Sequence, residues 1–157
     1  MKLRITAKYF DELTTRELYE ILRLREAVFV IEQTCIYEDI DGVDYESLHV
    51  FCEEGGKITA YLRAFRKPDE EGTVQIGRVL TARRGEGLGG EILREGIRII
   101  EEKMRPERLY LEAQTYAIGF YEREGFRVCT GEFDEDGIPH VGMERSGFAH
   151  DGEDIYG

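Results

Sequence analysis

A mixed β-sheet with helices on its faces is the architecture this sequence predicts, and three observations predict it. Short strand-patterned runs lie both before and after a long helix-patterned segment in the second half. Their order is strand, helix, three-strand meander, helix, strand, helix and two strands, which is not the regular alternation of a βαβ ladder. The 157 residues, 41% apolar and 34% charged, suffice for one compact domain with a buried core and are too apolar for disorder.

The elements follow in order. Residues 2–8 alternate well enough for a first strand. Thr14 and Glu17 have capping-box spacing, and Leu13 and Leu18 stand where a hydrophobic staple would. The helix they open places Leu18, Ile21, Leu22, Arg25, Val28 and Phe29 along one stripe. A turn-rich acidic stretch, residues 38–46, leads to strands over 48–53 and 57–66, joined by a tight turn at Gly55-Gly56. A third strand covers 73–81, and its interior Gly77 signals a bulge or a close backbone approach. After a glycine-rich loop, Leu88, Ile92, Leu93, Gly96, Ile97, Ile100 and Met104 recur at helical spacing until Pro106 stops the helix. Residues 108–113 form a short strand and 116–124 a short helix with Gly125 as its C-cap. Two last strands, about 127–133 and 140–145, end a domain of residues 1–146. Residues 147–157 read as a loose acidic tail.

Composition narrows the function. A formal net charge of -12 argues against nucleic acid, which is gripped by clustered Lys and Arg. The charge favours a cationic substrate, or simply keeps the protein in solution. The longest apolar run, residues 27–31, is far short of a membrane span, and no secretory signal pattern follows Lys2 and Arg4. Cys35, Cys52 and Cys129 are odd in number and widely spaced, as reduced cytoplasmic thiols are. No metal site is expected. Asp39, Asp41 and Gly42 lack the glycine placement and distal Glu of a calcium loop, and His49 and Cys52 stand an odd step apart on a strand.

The most informative stretch is Arg83-Arg84-Gly85-Glu86-Gly87-Leu88-Gly89-Gly90, between a strand and a helix. Unpaired backbone N–H groups and the positive end of the helix dipole converge there, and glycine lets a phosphate approach the backbone closely. A plain flexible turn is one reading, although four glycines weaken the start of a helix. A dinucleotide fingerprint is another, since Gly85, Gly87 and Gly90 fit G-x-G-x-x-G and Glu112 lies near the distance of a ribose-binding acid. Three residues intervene after the strand, however, and too little chain follows for further parallel units. A Walker loop is excluded by the missing Gly-Lys-Ser/Thr. The third reading is R-x-x-G-x-G at Arg84, Gly87 and Gly89.

In that form the segment resembles the pyrophosphate loop of the GNAT acyltransferase family. Residues 116–126, Tyr116-Ala117-Ile118-Gly119-Phe120-Tyr121-Glu122-Arg123-Glu124-Gly125-Phe126, resemble that family's second motif. The likeness spans roughly residues 1–146 and is closer still to the ElaA-like branch. Segments 28–33, 39–42, 76–79 and 137–143 carry it. The resemblance implies a GNAT-like acyl-CoA N-acyltransferase fold of the α/β (α+β) class, with a central mixed, mostly antiparallel sheet flanked by helices. It implies acetyl-CoA as cosubstrate and an amine as acceptor. A non-catalytic acyl-CoA sensor is the rival from another class, and a dinucleotide oxidoreductase is a second.

The resemblance also implies residue roles. Val79, Leu80 and Thr81 would offer a strand edge to the pantetheine amides, while Arg84, Gly85, Glu86, Gly87, Leu88, Gly89 and Gly90 would hold the pyrophosphate, with Phe120 beside them. Tyr121 is the catalytic candidate: a phenol of pKa about 10 can protonate a departing thiolate whose conjugate acid lies near about 8.5. The attacking amine must be neutral, and Glu32, His140 and His49 are the candidate bases. Arg78, His49 and Asp41 are candidates on the substrate side, Arg78 also as an ion-pair partner of the acidic loop. The last strand, if exposed, would pair across a homodimer.

Overall fold

The computed structural model describes residues 4–28, 38–83 and 85–147. Phe29, Glu32, Cys35 and Arg84 lie outside them, as does the tail from residue 148. The elements are β1 (Ile5–Tyr9), α1 (Thr15–Arg25), β2 (Leu48–Glu54), β3 (Lys57–Arg66), β4 (Thr73–Thr81), α2 (Leu88–Met104), β5 (Arg108–Gln114), α3 (Ile118–Glu122), β6 (Arg127–Val128), β7 (Phe133–Glu135) and β8 (Ile138–Ser146). They build one sheet in the order β1-β2-β3-β4-β5-β8-β6, with β7 also paired to β8. β4 and β5 run parallel, because the α2 crossover returns the chain in the same direction; the other pairs are antiparallel.

The two faces of the sheet are covered by different helices. The α2 stripe, Leu88 to Met104, is buried against Leu48, Val50, Leu62, Ile76, Leu109 and Leu111. Gly96 stands where a Cβ would come within 2.8 Å of Leu62, so the helix lies almost directly on β3. On the opposite face Ile21 of α1 packs with Phe51, Ile58, Tyr61 and Leu80. β3 is buried on both faces, and its alternation sends Tyr61 and Arg63 toward α1 while Leu62 and Ala64 face α2. The capping box of α1 forms as its spacing predicts, with Thr14 Oγ1 accepting from Glu17 N at 3.0 Å and Glu17 Oε1 accepting from Thr14 N at 2.8 Å.

Two departures from the sequence expectation matter. The bulge in β4 falls one residue after Gly77. Between the pairs Arg63↔Gly77 and Tyr61↔Leu80, β4 holds one residue more than β3, and Arg78 there adopts a left-handed φ of 51°. The last part of the chain is three strands rather than two. Asp136 and Gly137, both left-handed (φ 52° and 82°), make a two-residue hairpin turn that folds β7 back on β8. Among the described residues, no helix is long and apolar enough to cross a membrane.

Candidate active site

The site begins where β4 and β5 part. Their parallel ladder ends at Ile76↔Leu111, just before the bulge. Beyond it β4 stays with β3 through Leu80 and Thr81, whereas β5 stays with β8 through Gln114. A wedge opens between them, and among the described residues the β4 edge from Gly77 onward faces it without a strand partner. The bulge is the physical cause, since an extra residue bends its strand and ends regular pairing.

One side of the wedge is a cleft of about 670 Å³ lined by Val79, Leu80, Thr81, the glycine loop and Phe120. Gly87 is the N-cap of α2 with φ 73°, and among the described residues no side chain caps the helix. The first helical hydrogen bond is Glu91 N to Gly87 O at 3.2 Å, so the N–H groups of Leu88, Gly89 and Gly90 have no partner within the helix. Added Cβ atoms at Gly85 or Gly87 would meet nothing within 4 Å, yet their φ of 78° and 73° exclude most side chains. The result is an open, donor-lined cradle that fits an anion such as a pyrophosphate. Gly89 packs more closely: its Cβ would lie 3.5 Å from the Phe120 ring. Leu88 is buried, which leaves its N–H as its contribution. Glu86 is exposed and accepts from Arg83 Nε at 3.0 Å, while Arg83 also reaches Glu54 at 2.9 Å. Arg94 and Arg123 bring further positive charge to this cleft.

The other side is a cleft of about 390 Å³ floored by Gln75, Gly77, Glu112 and Gln114 and walled by Glu135, Asp136 and His140 of the β7–β8 hairpin. The two clefts share Val79, Tyr116, Ala117 and Tyr121. Tyr121 therefore stands at their junction. Its ring packs edge-on against Phe120 and Phe126, at 5.0 and 6.2 Å between centroids. Burial, with the Tyr116 phenol nearby, pushes its pKa above the ordinary tyrosine value, so the hydroxyl keeps its proton at neutral pH. Among the described residues no hydrogen bond holds that hydroxyl.

The remaining candidates divide between the cleft and a buried ionic network. His140 is in the cleft, 7% exposed, with Nδ1 2.8 Å from the Ile138 carbonyl and Nε2 3.4 Å from Glu135 Oε2. His49 and Asp41 line neither cleft, and geometry explains why. His49 is fully buried, its Nδ1 2.6 Å from the Tyr61 hydroxyl and its Nε2 3.0 Å from the Asp44 carbonyl. Nε2–H must donate to that carbonyl, which leaves Nδ1 to accept from Tyr61 and no nitrogen for a substrate. Burial pushes its pKa down, keeping it neutral. Asp41 accepts a two-pronged bond from Arg63, at 2.9 and 2.7 Å. Burial works to raise its pKa, but the Arg63 hydrogen bonds and charge outweigh this and bring it down to about 2. Arg78 makes the ion pairs expected with the acidic loop, through Asp39 (2.9 Å) and Asp41 (3.3 Å), and it also lines this cleft. Glu32 lies outside the described residues.

Sequence reasoning passed over Tyr116, Glu135 and Asp136, and it weighed Glu112 only as a ribose ligand. A signal for Glu112 existed. It alternates with Leu109, Leu111 and Ala113, which face α2, so it had to point to the opposite face. The Asp136-Gly137 dipeptide signals a hairpin, which would have brought Glu135 back toward His140. The dinucleotide reading fails on topology, since β4–β5 is the sheet's sole parallel pair among the described residues and no second parallel unit follows. No group of three or more His, Cys, Asp or Glu among the described residues could hold a metal ion.

Comparison with known proteins agrees with this geometry. Residues 12–146 match the Acetyltransferase (GNAT) domain. Protein ElaA of Escherichia coli strain K12 is 38% identical over 141 residues, covering 87% of this chain and 92% of ElaA. The crystal structure of E. coli ElaA superimposes with a TM-score of 0.86 at 35% identity, covering 92% of this chain and all of that one. An acyl-CoA N-acyltransferase from Pseudomonas aeruginosa does so with a TM-score of 0.86 at 39% identity and the same coverage. With the splayed strands, the uncapped glycine loop and the motif order all in agreement, the chain belongs to the GNAT acetyltransferase family, on its ElaA-like branch.

Proposed function

We propose that this protein transfers an acetyl group from acetyl-CoA to a primary amine by direct attack, without a covalent enzyme intermediate. The observation that carries the reading is the meeting of two clefts at Tyr121, one lined by helix-start N–H groups and the other by carboxylates. The anionic cofactor fits the first and a cationic amine the second. This separation lets both substrates bind at once, as direct transfer requires.

Each residue then has a task. Leu88, Gly89 and Gly90 offer their N–H groups to the pyrophosphate, and Arg84 is assigned to the same anion from the motif alone. The free edge of β4 from Val79 to Thr81 pairs with the pantetheine amides as an added strand would. A backbone N–H near Val79 faces the thioester oxygen and stabilises the charge that develops on it. Tyr121 gives its proton to the departing thiolate. An acetyl rather than a longer acyl group is favoured by the family's own name. We place the reaction in the cytoplasm, as the thiol usage suggests.

Thiol release measured with acetyl-CoA and hexanoyl-CoA against a set of primary amines tests the proposal. The expected result is release with acetyl-CoA that depends on the amine. Absence of any binding of CoA or acetyl-CoA in calorimetry would end the reading.

A further inference from the structure

A primary amine with a pKa of about 10 is almost wholly protonated at neutral pH, and an ammonium has no lone pair for attack. Something in the acceptor cleft must take its proton. His140 is the obvious group by type, but its ring is enclosed. Nδ1–H donates to the Ile138 carbonyl at 2.8 Å, and Nε2 faces Glu135 Oε2 at 3.4 Å. Neither nitrogen is turned to a substrate. Glu112 already has one oxygen, Oε2, engaged in accepting from the Tyr110 hydroxyl at 3.1 Å. Two further carboxylates line the cleft, Asp136 and Glu135. Glu135 is set against His140, its Oε2 3.4 Å from Nε2, and 45% of its side chain is open to water.

We propose that Glu135 is the catalytic base of this protein, taking the proton of the incoming ammonium while His140 and Glu112 act as positioning residues. The inference rests on the amine-acetylation reading. Its surroundings suit the role. Partial burial, and then the Glu112 charge, raise the Glu135 pKa above the ordinary carboxylate value, with a smaller contribution from Asp136 and an opposing one from His140. Arg78 lines the same cleft, but its guanidinium is held by Asp39 and Asp41. Once protonated, the Glu135 carboxyl returns the proton to solvent through its exposed side.

The protons balance as follows. The ammonium gives one to the Glu135 carboxylate, and the neutral amine then forms a C–N bond to the thioester carbon. The C–S bond breaks, and the thiolate takes the Tyr121 proton. The new amide nitrogen loses its second proton to the tyrosinate, restoring Tyr121, and Glu135 releases the first to water. The sum is ammonium plus thioester giving amide, thiol and one proton.

The test compares wild type, Glu135→Gln and Glu112→Gln in thiol release, using acetyl-CoA with ethylamine, 1,4-diaminobutane and lysine amide across pH 6 to about 10. Calorimetric CoA binding verifies that each variant is folded. For Glu135→Gln, kcat/KM is expected to fall about 10²-fold at pH 7 and to recover toward the amine's own pKa, where free amine no longer needs a base. In Glu112→Gln the rising limb of the pH profile is expected to move to lower pH, because the neighbouring charge is gone. A wild type that binds CoA yet releases no thiol with these amines overturns the amine reading and the base with it. Unchanged kcat/KM and pH profile in Glu135→Gln overturn the base alone.

Discussion

A phenol is a weak acid in water, and at Tyr121 burial makes it weaker still. That helps rather than harms. The hydroxyl stays protonated throughout the neutral range, so in the proposed transfer a proton is in place when the thiolate leaves. Loss of activity through Tyr121 ionisation therefore belongs above pH 10, not in the region where the amine titrates. Tyr121→Phe removes the proton and keeps the ring packed on Phe120 and Phe126. It is expected to lower kcat at least about tenfold while leaving acetyl-CoA affinity near wild type. Steady-state kinetics beside calorimetry measure both quantities, and an unchanged kcat would remove Tyr121 from the mechanism. Tyr116, 77% exposed at the same junction, is the natural control for any general effect of phenols there.

Among the elements, the start of α2 has the least freedom to vary. Gly87 must be left-handed to deliver three N–H groups into open space, and a side chain at φ 73° costs about 1–2 kcal/mol. In Gly87→Ala the empty loop relaxes to another conformation and must be returned to this one on binding. The Kd for CoA is then expected to rise roughly five- to thirtyfold, with little change in Tm. Titration calorimetry reads the first and thermal melting the second. This element was also the most legible in the sequence, because its glycines, its amphipathic stripe and Pro106 are all local signals. The capping box of α1 was legible for the same reason. The bulge was legible only to within a residue: Gly77 announced it, but the left-handed residue is Arg78, held there by bonds to a loop 37 and 39 positions away. The acceptor cleft was hardly legible at all. Its carboxylates come from β5 and from the hairpin, and only sheet order makes them neighbours. His49 shows the reverse error, a residue of suggestive type whose bonds are both internal.

Across the whole molecule, one ionic network joins what the hydrophobic cores keep apart. Arg25 at the end of α1, fully buried, donates to Asp39 at 3.1 Å and Asp44 at 2.7 Å. Arg63 of β3 binds Asp41 and Asp44, and Arg78 of the β4 bulge binds Asp39 and Asp41. Three arginines and three aspartates thus link helix, acidic loop and the wall of the acceptor cleft. Desolvating these ions is costly, so the network is better evidence for a fixed geometry than for net stability, but removing one member exposes the cost in full. Its acid response follows from Asp41. The folded-state pKa, about 2, lies below the ordinary 3.8, so the ionised form is stabilising above pH 3.8. That stabilisation is lost as pH falls toward 2. Asp41→Asn is therefore expected to lower stability by on the order of 2 kcal/mol at pH 7. The gap between variant and wild type should narrow to about half at pH 3, because the unfolded wild type is by then largely protonated at Asp41 while the folded form still holds the anion. Urea denaturation of both proteins at pH 7, 5, 4 and 3 measures the difference directly. A gap that stayed constant down to pH 3 would mean that the Arg63–Asp41 pair contributes shape without charge.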